Sequence, residues 1–572
     1  MQKQIIFFAL AILTIFTNCA QKKPLDYQGE WIGFLPDKES FNFKVNLENL
    51  GENIYKITLS NQKTTINKEV ESSSDEKIIF NLDKQLFFDL SLKKENNNLT
   101  GFIKSGRFLY HTILNNTGRN TYSGDWNPFM FTDRLQSDDI MLYVEKSEEG
   151  DLSAYPFFGD QRFRGTWTSN FRQEGDRLYF RDSNGGFNFC ASLLENNIEL
   201  EIFLVNTLLT KTSLTHTNDG WEYKSNPIKQ SVNTDRPQTL KDGWITGSIE
   251  DYDIKGAELT RLIKDIDNDK LVNTHSVLIA KEGKLVFESY FDGFNVNIPH
   301  DLRSASKSIS SAMIGIAIQD GILKAVDETL YDHIPEEYQY TKDSLKSKIK
   351  IKDLLTMSSG LDVNNLASED YYQNPNNKNS WLKSVLEAPM INEPGTYADY
   401  GSANPFLLGV VLDQNLNIPL EKYMHEKLFA PLQITNYINQ TDDSDTVPYF
   451  GGGMLLTSRD LLKFGHLYLN KGEWKGKQII PAEWVEESFK KHVRLQDVKD
   501  KNFYGYLWWH DTYKVGEKVI PSIEARGAGG QFIFILPKLK SVVVITSGNF
   551  RNKKGNQPRE ILKEYILPAL LN

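Results

Sequence analysis

A serine and a lysine three positions apart, Ser304 and Lys307, could together carry out acyl transfer. A serine hydroxyl is a weak nucleophile near neutral pH unless a base lies close enough to take its proton. A lysine amine can be that base only when burial or neighbouring positive charge lowers its pKa from its ordinary value of about 10.4. Because residues three apart share one face of a helix, the pair could be a nucleophile and its base.

The segment around this pair favours such a site. The sequence RSASKSISSAMIGIAIQDG from Arg303 predicts a helix that begins near Ser304. A helix start leaves backbone N–H groups without helical partners, so the N–H of Ser304 could stabilise an oxyanion. One apolar stripe on this helix would hold Lys307 in dry surroundings, and it comprises Ile309, Ala312, Met313, Ile316 and Ala317.

The spacing alone is a weak signal, because Ser-x-x-Lys occurs six more times in the chain. The other pairs are Ser60/Lys63, Ser74/Lys77, Ser91/Lys94, Ser347/Lys350, Ser380/Lys383 and Ser488/Lys491. Only the pair at Ser304 and Lys307 has a predicted hairpin upstream, a basic residue directly before it and a long apolar helix behind it. This context makes it the candidate.

The elements that would position the pair come from both ends of the C-terminal half. The segment SVLIAKEGKLVFESY from Ser276 predicts a hairpin that turns at Glu282 and Gly283, and QFIFILPKLKSVVVIT from Gln531 predicts another. The stretch from Ser304 to about Lys490 has mostly helical periodicity. We therefore expect a sheet flanked by helices, with a helical subdomain and a site in the cleft between these layers.

Six segments in this half resemble the serine β-lactamase, penicillin-binding protein and esterase superfamily. In chain order they are HDLRSASKSISSAMIGIAIQDGIL, LLTMSSGL, EPGTYADYGSANPFLLG, GGGMLLTSRDLLKFGHLYLNKGEW, YGYLWW and ARGAGGQFIFILP. The similarity is greatest to the class C and nylon-oligomer-hydrolase-like branch and covers residues 242–572. It implies an α/β β-lactamase-like domain, an antiparallel sheet flanked by helices plus a helical subdomain, that forms an acyl-enzyme.

The resemblance also assigns roles to residues. It makes Ser304 the nucleophile, Lys307 the residue that takes its proton, and Tyr400 a proton shuttle to the leaving group and the water. A cation such as Lys307 close to Tyr400 would lower the pKa of the phenol. Ser402, two positions after Tyr400, stands where asparagine is commoner and would contact the substrate.

The third motif of the superfamily, Lys-Thr-Gly or His-x-Gly, is replaced here by Ala528-Gly529-Gly530. Gly529 and Gly530 would allow close approach of the substrate, and the N–H of Gln531 would be the second oxyanion donor beside that of Ser304. The missing lysine makes a β-lactam or D-alanyl peptide less favoured as substrate. Arg526 could replace that cation, and the alternative is that it is a solvated arginine at the end of a strand.

Four aromatic residues near this motif could line an acyl pocket or pack in the core: Tyr504, Tyr506, Trp508 and Trp509. Of these, Trp508 is the candidate for contact with the substrate.

Other chemistries find less support in the sequence. There is no Gly-x-Ser-x-Gly elbow for a Ser-His-Asp site, and no cysteine cluster or His-Glu-x-x-His for zinc, so we predict neither metal nor cofactor. The main prediction is a serine hydrolase that cleaves an ester or amide of a small or cell-wall-derived molecule. A β-lactamase or D-alanyl peptidase, and a non-turnover penicillin-binding-type receptor or cell-wall-binding scaffold, stay open as alternatives.

The N-terminal half has the alternating pattern of β-strands from Tyr27 to about Thr217. YQGEW at Tyr27 recurs as YSGDW at Tyr122, and SLKKENNNLTGFI resembles SLLENNIELEIFL. We therefore predict two β-rich modules at 25–120 and 121–217, the second a repeat of the first, and a linker at 218–241. One large sandwich with chance similarity is the alternative.

The chain start and the charge bear on location. Residues 1–19 combine a lysine, an apolar run and then Cys19, which predicts a lipoprotein-type signal peptide and a lipid anchor in the bacterial cell envelope. Only Cys190 remains, so no disulfide can form within the chain. A net charge of −10 over 572 residues argues against nucleic acid as a partner, and the oligomeric state stays open.

Overall fold

The computed structural model describes residues 26–36, 38–72, 77–93, 97–129, 139–148, 150, 152–158, 168–218, 236–374, 377–499, 501–550 and 552–571. The predicted signal peptide, with Cys19, and most of the predicted linker lie outside the described residues. Within the ranges just given, no helix has both the length and the apolar character that crossing a membrane requires.

The N-terminal half consists mainly of β-strands with one 3₁₀ turn, Lys38–Phe41. The strands are β1 (Gly29–Phe34), β2 (Phe43–Gly51), β3 (Ile54–Ser60), β4 (Thr65–Glu71), β5 (Lys77–Asp83), β6 (Leu86–Lys93), β7 (Asn98–Ser105), β8 (Phe108–Gly118), β9 (Thr121–Trp126), β10 (Asp139–Lys146), β11 (Leu152–Phe158), β12 (Thr168–Glu174), β13 (Arg177–Asp182), β14 (Asn188–Leu193), β15 (Asn197–Leu204) and β16 (Thr207–Thr217). Their alternation of buried and outward-facing residues matches the period-2 pattern of the sequence.

These strands form two sheets in which the first strand of each predicted module has changed places. Strand β1 lies between β10 and β16, in the order β11-β10-β1-β16-β15-β14-β13-β12. Strand β9 lies between β2 and β8 in the other sheet. Strands β1 and β9, which contain the glycine and tryptophan of the repeated YxGxW motif, therefore each pair with strands of the other predicted module.

In both motif strands the glycine lies opposite a valine and the tryptophan lies opposite a large apolar residue. Trp31 pairs with Leu142 and Gly29 with Val144, whereas Trp126 pairs with Phe43 and Gly124 with Val45. The sheets therefore do not divide at residue 120, where the predicted modules meet. The side chains between them form one shared hydrophobic core.

The C-terminal half contains thirteen strands and eleven α-helices. The strands are β17 (Thr274–Lys281), β18 (Lys284–Tyr290), β19 (His300–Asp301), β20 (Tyr437–Gln440), β21 (Met454–Leu456), β22 (Glu473–Trp474), β23 (Lys477–Gln478), β24 (Val493–Arg494), β25 (Phe503–Tyr504), β26 (Trp509–Val515), β27 (Lys518–Gly527), β28 (Gln531–Leu536) and β29 (Ser541–Ser547). The helices are α1 (Gly256–Asp267), α2 (Lys307–Gln319), α3 (Ile351–Leu355), α4 (Glu369–Tyr372), α5 (Trp381–Glu387), α6 (Ala403–Asn415), α7 (Leu420–Met424), α8 (Ser458–Leu469), α9 (Ala482–Ser488), α10 (Gln557–Ile561) and α11 (Leu567–Leu570). These counts refer to the part of the chain that the structure describes.

An antiparallel sheet in the order β18-β17-β29-β28-β27-β26-β25-β24 is the frame of this half. Both predicted hairpins are present in it, and β17 pairs with β29, so the two ends of this half meet in the sheet. Alternate side chains of β17 and β29 pack on α1 and the C-terminal helices. The others pack on α2, α8 and the helical subdomain. This confirms the predicted fold class, a β-rich N-terminal region followed by a sheet flanked by helices.

The two halves are joined by backbone pairing. Strand β20 of the C-terminal half pairs with β8 of the N-terminal half, where Ile438 lies opposite Tyr110 and Gln440 opposite Phe108. Ile438 and Leu455 belong to the core of the N-terminal half. The β-rich region is therefore packed directly against the elements that surround the candidate site.

Candidate active site

Ser304 and Lys307 lie where a 3₁₀ turn, Arg303–Ser306, continues into α2. Helix α2 is buried from Lys307 to Ala317, because nearly all of its side chains are small or apolar. The Lys307 Nζ atom donates hydrogen bonds to Ser304 Oγ at 2.8 Å and to Ser402 Oγ at 2.9 Å. It also donates to the carbonyl oxygen of Gly451. The structure thus brings the predicted pair, and Ser402, into direct contact.

Burial sets the protonation of Lys307. Its side chain is 1% exposed, and removal from water lowers its pKa to about 8, while the charge of Glu369 acts weakly in the opposite direction. Burial favours the neutral amine, which can accept a proton. Near neutral pH a usable fraction of Lys307 is therefore unprotonated beside the serine.

Tyr400 lines the same cavity as Ser304. The Ser304 side chain is close enough to influence the pKa of the Tyr400 phenol, and Lys307 Nζ is 5.4 Å from the centre of the Tyr400 ring. Burial raises the pKa of Tyr400, and the lowering influence of Ser304 and Arg526 is smaller. The predicted lowering of this pKa by Lys307 is therefore wrong, because desolvation outweighs the neighbouring charge. The phenol stays protonated and can act as a hydrogen-bond donor.

The end of β27 forms the opposite wall of the site. A Cβ atom on Gly527 would lie 2.1 Å from the carbonyl oxygen of Leu302 and 3.1 Å from the backbone nitrogen of Ala305. Only glycine allows β27 to lie this close to the turn that carries Ser304. Ala528 follows directly and lines the cavity together with Ser304, Tyr400 and Gly529. Sequence reasoning missed Gly527 because it placed the motif at residues 528–530, directly after this glycine.

Gln531 does not line this cavity, although it is the predicted second oxyanion donor. It is the first residue of β28, fully buried, and its side-chain amide donates to the carbonyls of Ala528 and Ser547. Gln531 therefore supports the turn at 528–530, where Gly529 and Gly530 have positive φ angles of 79° and 94°. Ala528 lines the cavity together with Ser304, so its N–H is a candidate for the second oxyanion donor.

Trp508 lies away from the site, contrary to the prediction that it contacts substrate. It is fully buried among Phe464, Tyr468 and Phe489. Its neighbour Trp509 lines the cavity instead, since adjacent residues of an extended chain point to opposite sides.

Of the other two aromatic candidates, one contacts a residue of the site and the other lies outside it. Tyr504 is buried with its ring edge against Tyr400, while Tyr506 stacks on His492 outside the site.

The cavity beside Ser304 has a volume of about 570 Å³ and a basic lining. Among the described residues that line it, four are cationic and none is a carboxylate. The cationic residues are Lys499, Arg526, Lys553 and Arg559.

The predicted substitute cation, Arg526, is already paired within the protein. Its guanidinium donates to Glu524 and Asp511 and lies 4.8 Å from the ring centre of Trp509. Within the ranges that the structure describes, no group of three or more histidine, cysteine, aspartate and glutamate residues could hold a metal ion.

Comparison with known proteins bears on the identity of this domain. The family model described as Beta-lactamase matches residues 259–567, which is more than half of the chain. The chain belongs to the Beta-lactamase family. This confirms the resemblance seen in the sequence motifs, and the matched range contains Ser304, Lys307, Tyr400 and Gly527. Arg107 and the rest of the β-rich half lie outside the Beta-lactamase match.

Several individual proteins are similar to this Beta-lactamase-family chain. The 6-aminohexanoate-dimer hydrolase of Paenarthrobacter ureafaciens is 23% identical over 295 residues, which are 47% of this chain and 71% of that protein. Protein Rv1367c of Mycobacterium tuberculosis is 26% identical over 197 residues, 28% of this chain and 48% of its own. The octameric penicillin-binding protein homologue of Pyrococcus abyssi is 17% identical with a TM-score of 0.43, covering 55% of this chain and 77% of that one.

Proposed function

We propose that this protein is a serine hydrolase that cleaves an ester or amide bond through an acyl-enzyme on Ser304. The observation that carries the proposal is the 2.8 Å contact between Ser304 Oγ and a buried lysine amine whose pKa is about 8. A serine needs such a base to become a nucleophile. Membership of the Beta-lactamase family of hydrolases supports the same conclusion.

The proposed reaction has two halves. Neutral Lys307 takes the proton of Ser304 while Oγ attacks the carbonyl carbon, and the backbone N–H groups of Ser304 and Ala528 stabilise the oxyanion. The Tyr400 phenol donates its proton to the leaving oxygen or nitrogen and is reprotonated from Lys307. In the second half neutral Lys307 takes a proton from water, hydroxide attacks the acyl-enzyme, and the proton returns from Lys307 to Ser304 Oγ as the acid product leaves.

The lining of the cavity supports a substrate that carries an anionic or strongly polar group. The side chains of Lys499 and Lys553 are exposed at its mouth, and no lining residue within the described part of the chain is acidic. The similar 6-aminohexanoate-dimer hydrolase is named for an amide substrate, which keeps amides as well as esters among the candidates. The motif at Gly527 lacks a lysine, so β-lactams and D-alanyl peptides are less favoured.

A fluorophosphonate probe tests the proposal. We expect it to modify Ser304, as seen by peptide mass spectrometry, and to leave the Ser304→Ala variant unmodified. Ser308→Ala is the matched control, because this serine is buried and donates to the carbonyl of Leu507 instead. Failure of a folded wild-type protein to react contradicts the proposal. Stable acylation without release of product from esters, D-amino-acid amides and a chromogenic β-lactam would favour the non-turnover receptor.

We also propose that the protein is exported and anchored by lipid on Cys19 in the cell envelope. The apolar run followed directly by cysteine supports this. Metabolic labelling with a fatty-acid analogue should mark the wild type and fail to mark Cys19→Ser. Equal labelling of both would contradict the anchor.

A further inference from the structure

Arg107 is a buried cation that the β-rich half contributes to the surroundings of the catalytic domain. Arg107 lies between β7 and β8, outside the residues matched by the family, and is 9% exposed. Its Nε and Nη2 atoms donate to the carbonyl of Thr441 at 3.1 and 2.6 Å, and Nε also donates to the carbonyl of Asp442 at 3.2 Å. The carbonyl of Arg107 in turn accepts from the N–H of Thr441 at 2.7 Å. Arg107 thus binds the backbone of Thr441 through both its guanidinium and its own carbonyl oxygen.

Thr441 begins a loop that returns to the active site, here called the 441–453 loop. The loop closes on itself, since the N–H of Gln440 donates to the carbonyl of Gly453 at 2.6 Å and that of Tyr449 to the carbonyl of Gln440 at 2.7 Å. Its start and its end are therefore tied together through Gln440. A displacement at Thr441 would be passed on to the glycines at the far end.

The far end of the 441–453 loop touches the proposed base. Gly451 presents its carbonyl oxygen to Lys307 Nζ, and the carbonyl of Phe450 accepts from Ser310 Oγ at 3.2 Å. The loop therefore holds α2 by two contacts, one of them with the lysine itself.

A second connection runs through aromatic rings. The guanidinium of Arg107 lies 4.1 Å from the ring centre of Trp381, which packs edge to face on Tyr449 at 5.4 Å. Tyr449 donates to Glu369 at 2.5 Å. Glu369 is the carboxylate whose charge acts on Lys307. Both connections lead from Arg107 to the same amine.

We propose that Arg107 is a positioning residue for the Ser304–Lys307 pair, so that the β-rich half completes the active site of the hydrolase domain. The inference rests on the proposed function. A buried guanidinium that forks between two carbonyls suits this task, because its planar donors fix direction as well as distance. Small displacements of a catalytic group slow the chemistry without weakening binding of the reactant.

The test compares three Arg107 variants with the wild type in the full chain. Rate constants for phosphonylation of Ser304 by a fluorophosphonate, which releases fluoride, are measured against probe concentration and pH. For Arg107→Ala we expect the limiting rate constant to fall about 10- to 100-fold with little change in the probe concentration at half-saturation. Arg107→Lys should recover part of the rate, since it keeps the charge over Trp381 and loses the fork.

The midpoint of the pH profile is a second measurement, and a loss of protein stability alone would leave it unchanged. Loosening the 441–453 loop admits water to Lys307, and burial is what lowers its pKa. The midpoint of the profile should therefore rise from about 8 in the Arg107 variants. The other groups that face Lys307 are Ser304, Ser402, Tyr400 and Glu369, and all of them are unchanged in these variants.

The matched control is Lys422→Met. It removes a different cationic contact between the two halves, the ion pair of Lys422 with Asp89 at 3.1 Å, which does not involve the 441–453 loop. This control should keep the wild-type rate and midpoint. Equal losses in Lys422→Met and Arg107→Ala would overturn the inference, as would a folded Arg107 variant with the rate and midpoint of the wild type.

The experiment also distinguishes failure of Arg107→Ala to fold, failure of the proposed function and failure of the role of Arg107. Should Arg107→Ala fail to fold, Arg107→Lys and Arg107→Gln decide by the same two readouts. A wild-type protein that the probe does not label contradicts the proposed function. A labelled wild type with unaffected Arg107 variants contradicts only the role of Arg107.

Discussion

At the scale of single residues, the burial of Lys307 is what gives it a pKa suited to a base. The amine must be neutral to take the proton of Ser304, and its pKa is about 8. The rate of acylation should therefore rise as the pH increases through about 8 and level off above it. Lys307→Ala should lower the rate about 10²- to 10⁴-fold and abolish this rise.

Stopped-flow acylation across pH 6–10 provides the measurement, with the range chosen to span roughly two units on either side of the lysine pKa. Lys346→Ala is the control, because Lys346 is also a buried lysine but donates to the carbonyl of Leu386. A profile that stays flat through pH 8 would rule out Lys307 as the titrating base.

The same burial costs stability. The pKa of Lys307 is about 8 in the folded protein and about 10.4 in the unfolded chain, so the unfolded state binds more protons between these values. Stability therefore rises with pH across this window, and below it the buried charge costs roughly 3 kcal/mol. Lys307→Met should raise the free energy of unfolding at pH 7 by up to about this amount, and less above pH 10.

Urea unfolding of both proteins at the two pH values measures this difference. The loss of the hydrogen bond to Gly451 offsets part of the gain. A variant that is less stable than the wild type at pH 7 and more stable at high pH would contradict the sign of the argument.

The raised pKa of Tyr400 limits this residue to donating a proton. Because the phenol stays protonated, Tyr400→Phe should slow turnover about 10²- to 10⁴-fold without moving the rise near pH 8. Tyr504→Phe is the control, since Tyr504 packs against the Tyr400 ring with its own ring edge. Steady-state rates with an activated ester distinguish the two, and wild-type turnover in Tyr400→Phe would exclude the phenol from the mechanism.

At the scale of elements, the sequence predicts those whose pattern is local. Helix α2 and the hairpins β17–β18 and β28–β29 have clear periodicity, and all are present. The position of the third motif could not be predicted, because ARGAGG offers several glycines and only packing against the Ser304 turn distinguishes Gly527. Trp508 and Trp509 differ likewise only by which side of the chain they occupy.

The contact between β27 and the Ser304 turn gives a prediction for Gly527→Ala. The added methyl group would collide with the carbonyl of Leu302 and push the strand away from the turn. Separation of Ala528 from Ser304 weakens oxyanion stabilisation, so acylation should fall about 10²- to 10³-fold. Gly256→Ala is the control, because a Cβ there meets only the end of the Ile249 side chain at 3.0 Å. A Gly527→Ala variant of normal rate would place the oxyanion donor elsewhere.

At the scale of the whole molecule, the arrangement of the β-rich half lies beyond what local pattern can show. The repeated motif predicts that β1 and β9 are related, and in both strands the glycine of the motif lies opposite a valine. The motif does not show whether β1 and β9 pair with strands of their own module or with strands of the other module, as they do in the structure. Which pairing forms depends on how the two sheets close over their shared core.

The union of the two halves leads to a prediction for a truncated chain of residues 236–572. Without β8, strand β20 becomes an open edge, and Ile438 and Leu455 lose the core in which they are buried. Arg107 is lost as well, which releases Thr441. We expect the fragment to self-associate on size-exclusion chromatography and to react with the fluorophosphonate at least about tenfold more slowly than the full chain. A monomeric fragment with the rate of the full chain would mean that the hydrolase domain needs nothing from the β-rich half.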